Sequence, residues 1–259
     1  MNLFCDVDGT FWEHSDKDFE QYKRNLAAVE RWRAAGNVFG LATGRGIPSM
    51  RRNFPDYHRD ADFLITDNGS FTTETKDEKL IDETVFEKRQ IAQILSFVRE
   101  HFTEKQAKIS YHGYLQEYQV PIASIGKIRT WLLNSEMAEE LYEKMALHFG
   151  NDDYKLHIER NALPSSLDWV GPEYKSFINI VPAESGKETA IEKLRKMHKI
   201  KGDIIVLGDD MNDLAMIHMF DGYAMADSHP NLLKVMSSDK IVKNPEELIN
   251  KLLKQKTSH

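Results

Sequence analysis

Short apolar runs alternate with stretches of helical periodicity in the first part of the chain. Mostly apolar runs at 3–7, 38–42 and 63–66 predict buried strands. Between the first two runs, apolar side chains recur at the spacing of an amphipathic helix: Phe19, Tyr22, Leu26, Val29 and Trp32, with Gly36 as the end of the stripe. Ser15 and Asp18 have capping-box spacing, and Pro48 can begin a short helix before the third strand. This alternation predicts a parallel sheet with helices on both faces.

From about residue 70 the pattern changes to short strands with polar alternation. Segments 71–75 and 79–82 predict a hairpin, and a helix is expected at 86–102. Strands at 107–111 and 114–117 should pair around His112-Gly113. Further elements are expected as a strand at 128–133, a helix at 135–149 and extended segments at 154–159, 167–170 and 177–181. Short strands around two helices indicate an antiparallel α+β module.

After Pro182 the alternation of strands and helices returns. Helices are predicted at 187–198, 212–218, 230–236 and 245–254, and strands at 203–207, 222–225 and 240–242. We therefore predict an α/β domain built from residues 1–82 and 183–259, interrupted by an inserted domain at 83–182.

Composition removes several functional classes. The 259 residues include 34 basic and 41 acidic side chains, a net charge of −7, and the basic residues are spread along the sequence, which argues against a nucleic-acid partner. The longest aliphatic run, 204–207, is far shorter than the roughly 18 apolar residues of a membrane helix. A single cysteine excludes an internal disulfide, and no spacing typical of a zinc site is present. Without a signal-peptide pattern at the N-terminus, we expect a cytoplasmic protein.

Two carboxylates follow the first predicted strand. Asp6 and Asp8 are two positions apart, so in an extended chain both side chains point to the same side. Two negative charges this close repel each other, so both carboxyl groups do not ionise easily. Either a divalent cation or a retained proton on one of them relieves the repulsion. The alternative interpretation is a polar turn, since Asp and Gly are common turn residues.

A second acidic cluster follows the strand at 203–207. Because the carboxyl ends of parallel strands meet at one edge of a sheet, Asp209 and Asp213 are expected to converge with Asp6 and Asp8 there. A set of oxygen ligands favours Mg²⁺. Taken alone, the second cluster could instead be an acidic N-cap of the helix near Asn212.

Groups suited to binding a phosphate are predicted at the same edge. Thr43, Gly44 and Arg45 close the second strand and supply a hydroxyl, an adaptable backbone and a guanidinium. Lys187 begins a helix, where a lysine opposes the helix dipole, so an anionic partner is favoured over a solvated lysine. Asn68, in Asn68-Gly69, follows the third strand and is either part of this pocket or a plain turn.

These segments together resemble the haloacid dehalogenase-like hydrolase superfamily. Its four motifs are matched by 6–10 (Asp-Val-Asp-Gly-Thr), Thr43, Lys187 and 208–213 (Gly-Asp-Asp-Met-Asn-Asp). An insert between the Thr43 and Lys187 motifs resembles the C2-capped branch, and 65–70 resembles the Cof-type sugar-phosphate phosphatases within it. Phe11-Trp12 replaces the small aliphatic pair that is common after the first motif.

The resemblance implies a Rossmann-like parallel-sheet core, an inserted α+β cap that sets specificity, and a Mg²⁺-dependent phosphatase. Its substrate would be a small phosphorylated metabolite, a sugar or polyol phosphate. Asp6 would be the nucleophile that forms an aspartyl-phosphate, and Asp8 the general acid and base. Mg²⁺ would be held by the Asp6 carboxylate, the Asp8 carbonyl and Asp209, with Asp213 on its waters or as a further ligand.

Substrate binding is expected from Thr43 and Lys187 on the transferring phosphoryl oxygens, with further candidates around them. The full set is Thr43, Gly44, Arg45, Asn68, Lys187 and Asn212. The same chemistry can run a phosphosugar mutase, and the core motifs do not separate the two. A non-catalytic phosphosugar-binding module is a further alternative, disfavoured because both Asp6 and Asp8 are present.

Overall fold

A computed structural model describes residues 1–13, 16, 18–54, 56–119, 124–150, 153–159 and 169–256 of the chain. Ser15 and the first half of the predicted extended segment 167–170 lie outside these residues. The chain divides into two compact units. The core unit comprises Met1–Arg45, Ser49–Asp82 and Gly186–His259, and the insert unit comprises Gly46–Pro48 and Glu83–Ser185.

Strands and helices alternate in the order expected at both ends of the chain. The strands are β1 (Asn2–Cys5), β2 (Val38–Ala42), β3 (Phe63–Thr66), β4 (Phe71–Glu74), β5 (Lys79–Glu83), β6 (Ala107–His112), β7 (Glu117–Tyr118), β8 (Lys127–Leu132), β9 (Tyr154–Glu159), β10 (Ser176–Pro182), β11 (Ile204–Gly208), β12 (Tyr223–Met225) and β13 (Ile241–Val242). The α-helices are α1 (Glu20–Ala34), α2 (Ile47–Asn53), α3 (Tyr57–Asp60), α4 (Lys88–His101), α5 (Ser135–Phe149), α6 (Lys187–Lys196), α7 (Leu214–Met219), α8 (Pro230–Leu233) and α9 (Pro245–Lys256).

The core unit is built on an eight-stranded sheet in the order β13-β12-β11-β1-β2-β3-β4-β5. Its strands from β13 to β3 are parallel, and β4 runs antiparallel to β3. Leu3 and Phe4 on β1 point to opposite faces and both are fully buried, so both faces of the sheet are covered. This double burial explains why the strand appears in sequence as a continuous apolar run. The predicted α/β fold class is confirmed.

Helix α1 begins where a carboxylate caps its amides. The Asp16 oxygens accept hydrogen bonds from the backbone N–H groups of Glu20 and Tyr22, both at 2.9 Å. Val29 and Trp32 of the predicted apolar stripe are buried, and Trp32 donates its indole N–H to the carbonyl of Val38 at 2.8 Å. This hydrogen bond fixes the helix against the first residue of β2.

The insert unit is an antiparallel sheet with strand order β7-β6-β8-β10-β9. Helices α4 and α5 pack on it around a core of buried side chains that includes Ile94, Phe97, Leu141 and Met145. The expected antiparallel α+β character of this segment is therefore present.

Two expectations in the insert are wrong. The strand predicted at 114–117 begins only at Glu117, because residues 113–116 form the turn, with the Gly113 N–H donating to the Gln116 carbonyl at 3.0 Å. Glu117 then pairs with His112 at 2.6 Å between the side chains. Trp169 and Val170, expected to be extended, lie in a turn, and Val170 packs against Trp131 rather than in a sheet.

The helix predicted at 212–218 is divided in the structure. Residues 211–213 form a 3₁₀ turn and α7 starts at Leu214. Asp210 is the N-cap of this turn, and its carboxylate accepts the N–H of Met211 at 2.7 Å. Among the described residues, no helix is long and apolar enough to cross a membrane.

Candidate active site

A buried ion-pair triad connects three separate parts of the core unit. Asp6 follows β1, Lys187 is the first residue of α6, and Asp213 ends the turn before α7. The Lys187 Nζ donates to Asp6 Oδ1 at 2.5 Å and to Asp213 Oδ1 at 2.7 Å. Lys187 is 2% exposed and Asp213 is 0% exposed. Its two carboxylate partners explain why a lysine is stable at a helix N-terminus.

The loop after β3 packs tightly against the start of α6. Asp67, Asn68 and Gly69 form a 3₁₀ turn in which Asn68 has a φ of +55° and Gly69 a φ of +94°. A Cβ on Gly69 would lie 2.2 Å from the carbonyl oxygen of Gly186. Only glycine allows this approach, so the Asn68-Gly69 signal marks a contact that positions Lys187.

Asp209 is held by the loop that follows β1. Thr10 donates its hydroxyl to Asp209 Oδ1 at 2.7 Å. A Cβ on Gly9 would lie 2.3 Å from Asp209 Oδ2, so this position leaves no room for a side chain. This role of Thr10 in holding Asp209 was not predicted from the sequence, although Thr10 is the last residue of the first motif.

Carboxylate oxygens of Asp6, Asp209 and Asp213 lie within 4.8 Å of one another. Asp213 also accepts hydrogen bonds through Oδ2 from the backbone N–H groups of Asp209 and Asp210, at 3.1 and 3.2 Å. It therefore shapes the loop as well as pairing with Lys187. The predicted convergence of these three acids is observed.

Electrostatics in the cluster favour a bound cation. Burial, together with repulsion by Asp213, raises the pKa of Asp209 to about 7, against the lowering effect of the hydrogen bond from Thr10. Burial likewise raises the pKa of Asp6, although Lys187 opposes the shift. Burial alone would lower the pKa of Lys187, but Asp213 and Asp6 raise it above its ordinary value. A divalent cation would relieve the repulsion between the carboxylates, so the donor set fits one.

The Asp8 carboxylate is not part of this three-acid cluster, contrary to the expectation that it would converge with Asp6 there. Strand β1 ends at Cys5, so the strand rule that places side chains two positions apart on one side no longer applies at 6–8. Arg45 binds both Asp8 oxygens as a fork, from Nε to Oδ2 at 2.6 Å and from Nη2 to Oδ1 at 2.5 Å. Arg45 also donates to Ser49 Oγ at 3.0 Å.

Thr43, Gly44 and Asn68 lie together at the end of β2. The Asn68 N–H donates to the Thr43 carbonyl at 3.1 Å, and a Cβ on Gly44 would be 2.9 Å from Asn68 Oδ1. Thr43 Oγ1 accepts the N–H of Arg45 at 3.1 Å, which leaves its own proton available to a ligand. In the described part of the chain, Asn68 Oδ1 and Asn212 Oδ1 are buried without a hydrogen-bond partner. Such groups are where a bound ligand or water is expected.

Comparison with known proteins agrees with this geometry. A model of the haloacid dehalogenase-like hydrolase family matches residues 3–247. This chain belongs to that family. The result confirms the resemblance seen in the four motifs.

Solved structures of the same fold cover nearly the whole chain. A protein from Streptococcus mutans UA159 is 17% identical with a TM-score of 0.72, over 97% of this chain and 98% of its own. A haloacid dehalogenase-like hydrolase from Bacteroides thetaiotaomicron is 17% identical with a TM-score of 0.71, over 97% and 98%. A sugar phosphatase of haloacid dehalogenase subclass IIB is 18% identical with a TM-score of 0.66, over 98% of each chain. At these identities the likeness concerns the fold.

Proposed function

We propose that this hydrolase is a Mg²⁺-dependent phosphatase that cleaves a small phosphorylated metabolite, a sugar or polyol phosphate, through an aspartyl-phosphate on Asp6. The observation that carries the proposal is the position of Asp6. Its carboxylate sits at the end of the central strand, next to the buried Lys187 ammonium and within 4.8 Å of oxygens from two further carboxylates. The proposed nucleophile, a fixed ammonium and the proposed metal ligands therefore share one small volume of the core unit.

The chemistry follows from these positions. An Asp6 oxygen attacks phosphorus, and the bond from phosphorus to the leaving oxygen breaks as Asp8, which enters this step protonated, gives its proton to that oxygen. Water then attacks the aspartyl-phosphate, Asp8 takes its proton, and inorganic phosphate leaves with the Asp6 carboxylate restored. Lys187 and the hydroxyl of Thr43 donate hydrogen bonds to the phosphoryl oxygens, where negative charge is concentrated.

Mg²⁺ would be held by the Asp6 and Asp209 carboxylates and the Asp8 carbonyl, with Asp213 on its waters or as a further ligand. When bound, it would neutralise charge on the phosphoryl group. Asn68, Gly44, Arg45 and Asn212 complete the proposed phosphate pocket.

The proposed substrate class is supported by the family and by one structural neighbour. Family membership makes the chain a hydrolase, and one structural neighbour is a sugar phosphatase. We assign specificity to the predicted inserted domain, residues 83–182, acting as a cap on the catalytic domain formed by 1–82 and 183–259. Lid-like domains of this kind exclude water and select the leaving group.

The test is release of inorganic phosphate from sugar phosphates, polyol phosphates, nucleotides and an aryl phosphate, with Mg²⁺ or with EDTA. Asp6→Asn removes the nucleophile with almost no change in shape. Asp203→Asn is a matched control, because Asp203 is an exposed acid immediately before β11, at the opposite end of the strand from Asp209.

We expect release that requires Mg²⁺, persists in Asp203→Asn and falls by at least about 10³-fold in Asp6→Asn. Turnover in Asp6→Asn at the wild-type rate would refute the nucleophile, and full activity after exhaustive chelation would refute the metal. Isomerised sugar phosphate without free phosphate would show a mutase instead.

A further inference from the structure

Two aromatic rings surround the guanidinium that holds Asp8. The Arg45 Cζ lies 5.9 Å from the ring centroid of Trp12 and 5.5 Å from that of Phe54. The two rings meet edge to face, with centroids 5.5 Å apart and an angle of 79° between their planes. Both distances are within the range in which a cation is attracted to a ring face. The guanidinium is therefore held in a corner made by two nearly perpendicular rings.

Trp12 belongs to the same short loop as Asp8. The backbone N–H of Trp12 donates to the Val7 carbonyl at 2.9 Å, and the backbone carbonyl of Trp12 accepts the Gly9 N–H at 2.9 Å. Asp8 and Trp12 also form an isolated β-bridge. The indole and the carboxylate are thus linked twice, through the backbone of the loop and through the side chain of Arg45.

We propose that Trp12, together with Phe54, is a positioning residue that fixes the guanidinium of Arg45 and so aims the Asp8 carboxylate for its work as general acid. The inference rests on the proposed function. It also gives a role to the tryptophan that replaces a small aliphatic residue after the first motif.

The fork of two hydrogen bonds couples the orientation of the Arg45 guanidinium to that of the Asp8 carboxylate. A guanidinium that donates to both oxygens fixes the plane of the carboxylate as well as its distance, and in the acid step the oxygen that carries the proton exchanges its bond from Arg45 for one to the leaving oxygen. An arginine side chain has several rotatable bonds, so its plane is defined only when something packs against it. Loss of the indole removes one wall of the corner and lets the Asp8 carboxylate rotate with Arg45. A misplacement of about 1 Å at a reacting group can cost about 100-fold in rate.

The nature of the leaving group separates this role from a general structural defect. An alkyl phosphate, such as a sugar phosphate, must have its leaving oxygen protonated, whereas 4-nitrophenolate departs without a proton. The ratio of kcat/KM for the best alkyl substrate to kcat/KM for 4-nitrophenyl phosphate therefore reports on the acid alone. Because kcat/KM covers only the steps up to the first irreversible one, hydrolysis of the aspartyl-phosphate does not obscure the ratio.

The variants are chosen around Trp12. Asp8→Asn sets the scale, since it removes the acid itself, and Arg45→Lys keeps the charge but not the fork. Trp12→Leu removes the ring, and Trp12→Phe restores one. Phe19→Leu is the matched control: the Phe19 ring stacks on Trp12 at 6.4 Å and is 44% exposed, and among the contacts of the described residues none joins it to Arg45.

We expect the ratio to fall by about 100-fold or more in Asp8→Asn and by about 10- to 100-fold in Trp12→Leu and Arg45→Lys. The ratio should be within about threefold of the wild-type ratio in both Trp12→Phe and Phe19→Leu. An equal loss on both substrates in Trp12→Leu, or a loss in Phe19→Leu of the same size, would overturn the inference while the phosphatase itself stands. Wild-type protein without turnover on any substrate would overturn the proposed function instead.

A second measurement does not need activity. In ¹⁵N-labelled protein, the Arg45 Nε–H resonance, identified by its loss in Arg45→Lys, should show slow exchange and a ring-current shift. Trp12→Leu should abolish both features and Phe19→Leu should retain them. An unchanged Arg45 resonance in Trp12→Leu would refute the positioning role.

Discussion

Replacing Lys187 by methionine tests the electrostatic account of the site through stability alone. The ammonium contacts Asp6 at 2.5 Å and Asp213 at 2.7 Å, and its side chain is 1% exposed. Methionine has a similar length but no charge, so the change leaves two buried carboxylates without their common cation. Removing one partner from a buried ion pair costs about 3–5 kcal/mol, because the remaining charge stays out of water.

The assay is urea unfolding of the metal-free protein in EDTA, followed by circular dichroism. With a urea slope of about 3 kcal/mol per M, this loss moves the midpoint down by about 1 M or more. Lys193→Met is the matched control on the same helix. Its ammonium binds Asp82 at 2.8 Å, but the two side chains are 35% and 22% exposed, so the loss should stay below about 1 kcal/mol.

The result that would refute this reasoning is a Lys187→Met midpoint no lower than that of Lys193→Met. Such a result would mean that the two carboxylates become hydrated or protonated in Lys187→Met with little loss of stability. Addition of Mg²⁺ gives a further check, because a cation bound by the same carboxylates should recover part of the loss in Lys187→Met and none in Lys193→Met.

Two other substitutions probe the same region. Because the pKa of Asp209 is raised from 3.8 to about 7, the folded metal-free protein keeps a proton there that the unfolded chain has lost, so stability should fall as pH rises through that window. Asp209→Asn should reduce this slope, by up to about 4 kcal/mol over the window, in melting temperatures measured against pH in EDTA, while the raised pKa of Asp6 leaves a residual slope; an unchanged slope would contradict the assignment. Gly69→Ala should cost about 2–5 kcal/mol in urea unfolding, because its Cβ would lie 2.2 Å from the Gly186 carbonyl oxygen and its φ of +94° is unfavourable for alanine. Gly36→Ala, where a Cβ meets nothing within 4 Å, should cost only about 1–2 kcal/mol, and equal losses at the two glycines would show that the close contact does not matter.

Elements with strong periodicity or complete burial could be predicted from the sequence. The spans 38–42, 63–66, 135–149 and 154–159 match observed strands and a helix to the residue. In each, the local pattern and the tertiary environment require the same conformation. The convergence of Asp6, Asp209 and Asp213 was also predictable, since it depends only on the parallel order of β1 and β11.

Other features depend on partners distant in sequence. The direction of Asp8 could not be predicted, because it is set by Arg45 and by the end of β1, one residue before Asp6. The start of β7 was missed for a local reason: residues 113–116 form the turn, so pairing begins only at Glu117, opposite His112. Trp12 was visible in the sequence only as a departure from the family pattern, and its contact with Arg45 required coordinates.

The most direct test of the central claim is to look for the covalent intermediate on Asp6. Protein mixed with a turning-over sugar phosphate and Mg²⁺ is quenched in acid within one turnover, digested and analysed by mass spectrometry. The account predicts one added phosphoryl group on the peptide that contains Asp6, absent in Asp6→Asn. With 4-nitrophenyl phosphate, whose leaving group needs no acid, the added group should accumulate in Asp8→Asn, where the water cannot be activated. Steady release of phosphate with the added group on another residue, or on none at any quench time, would contradict it.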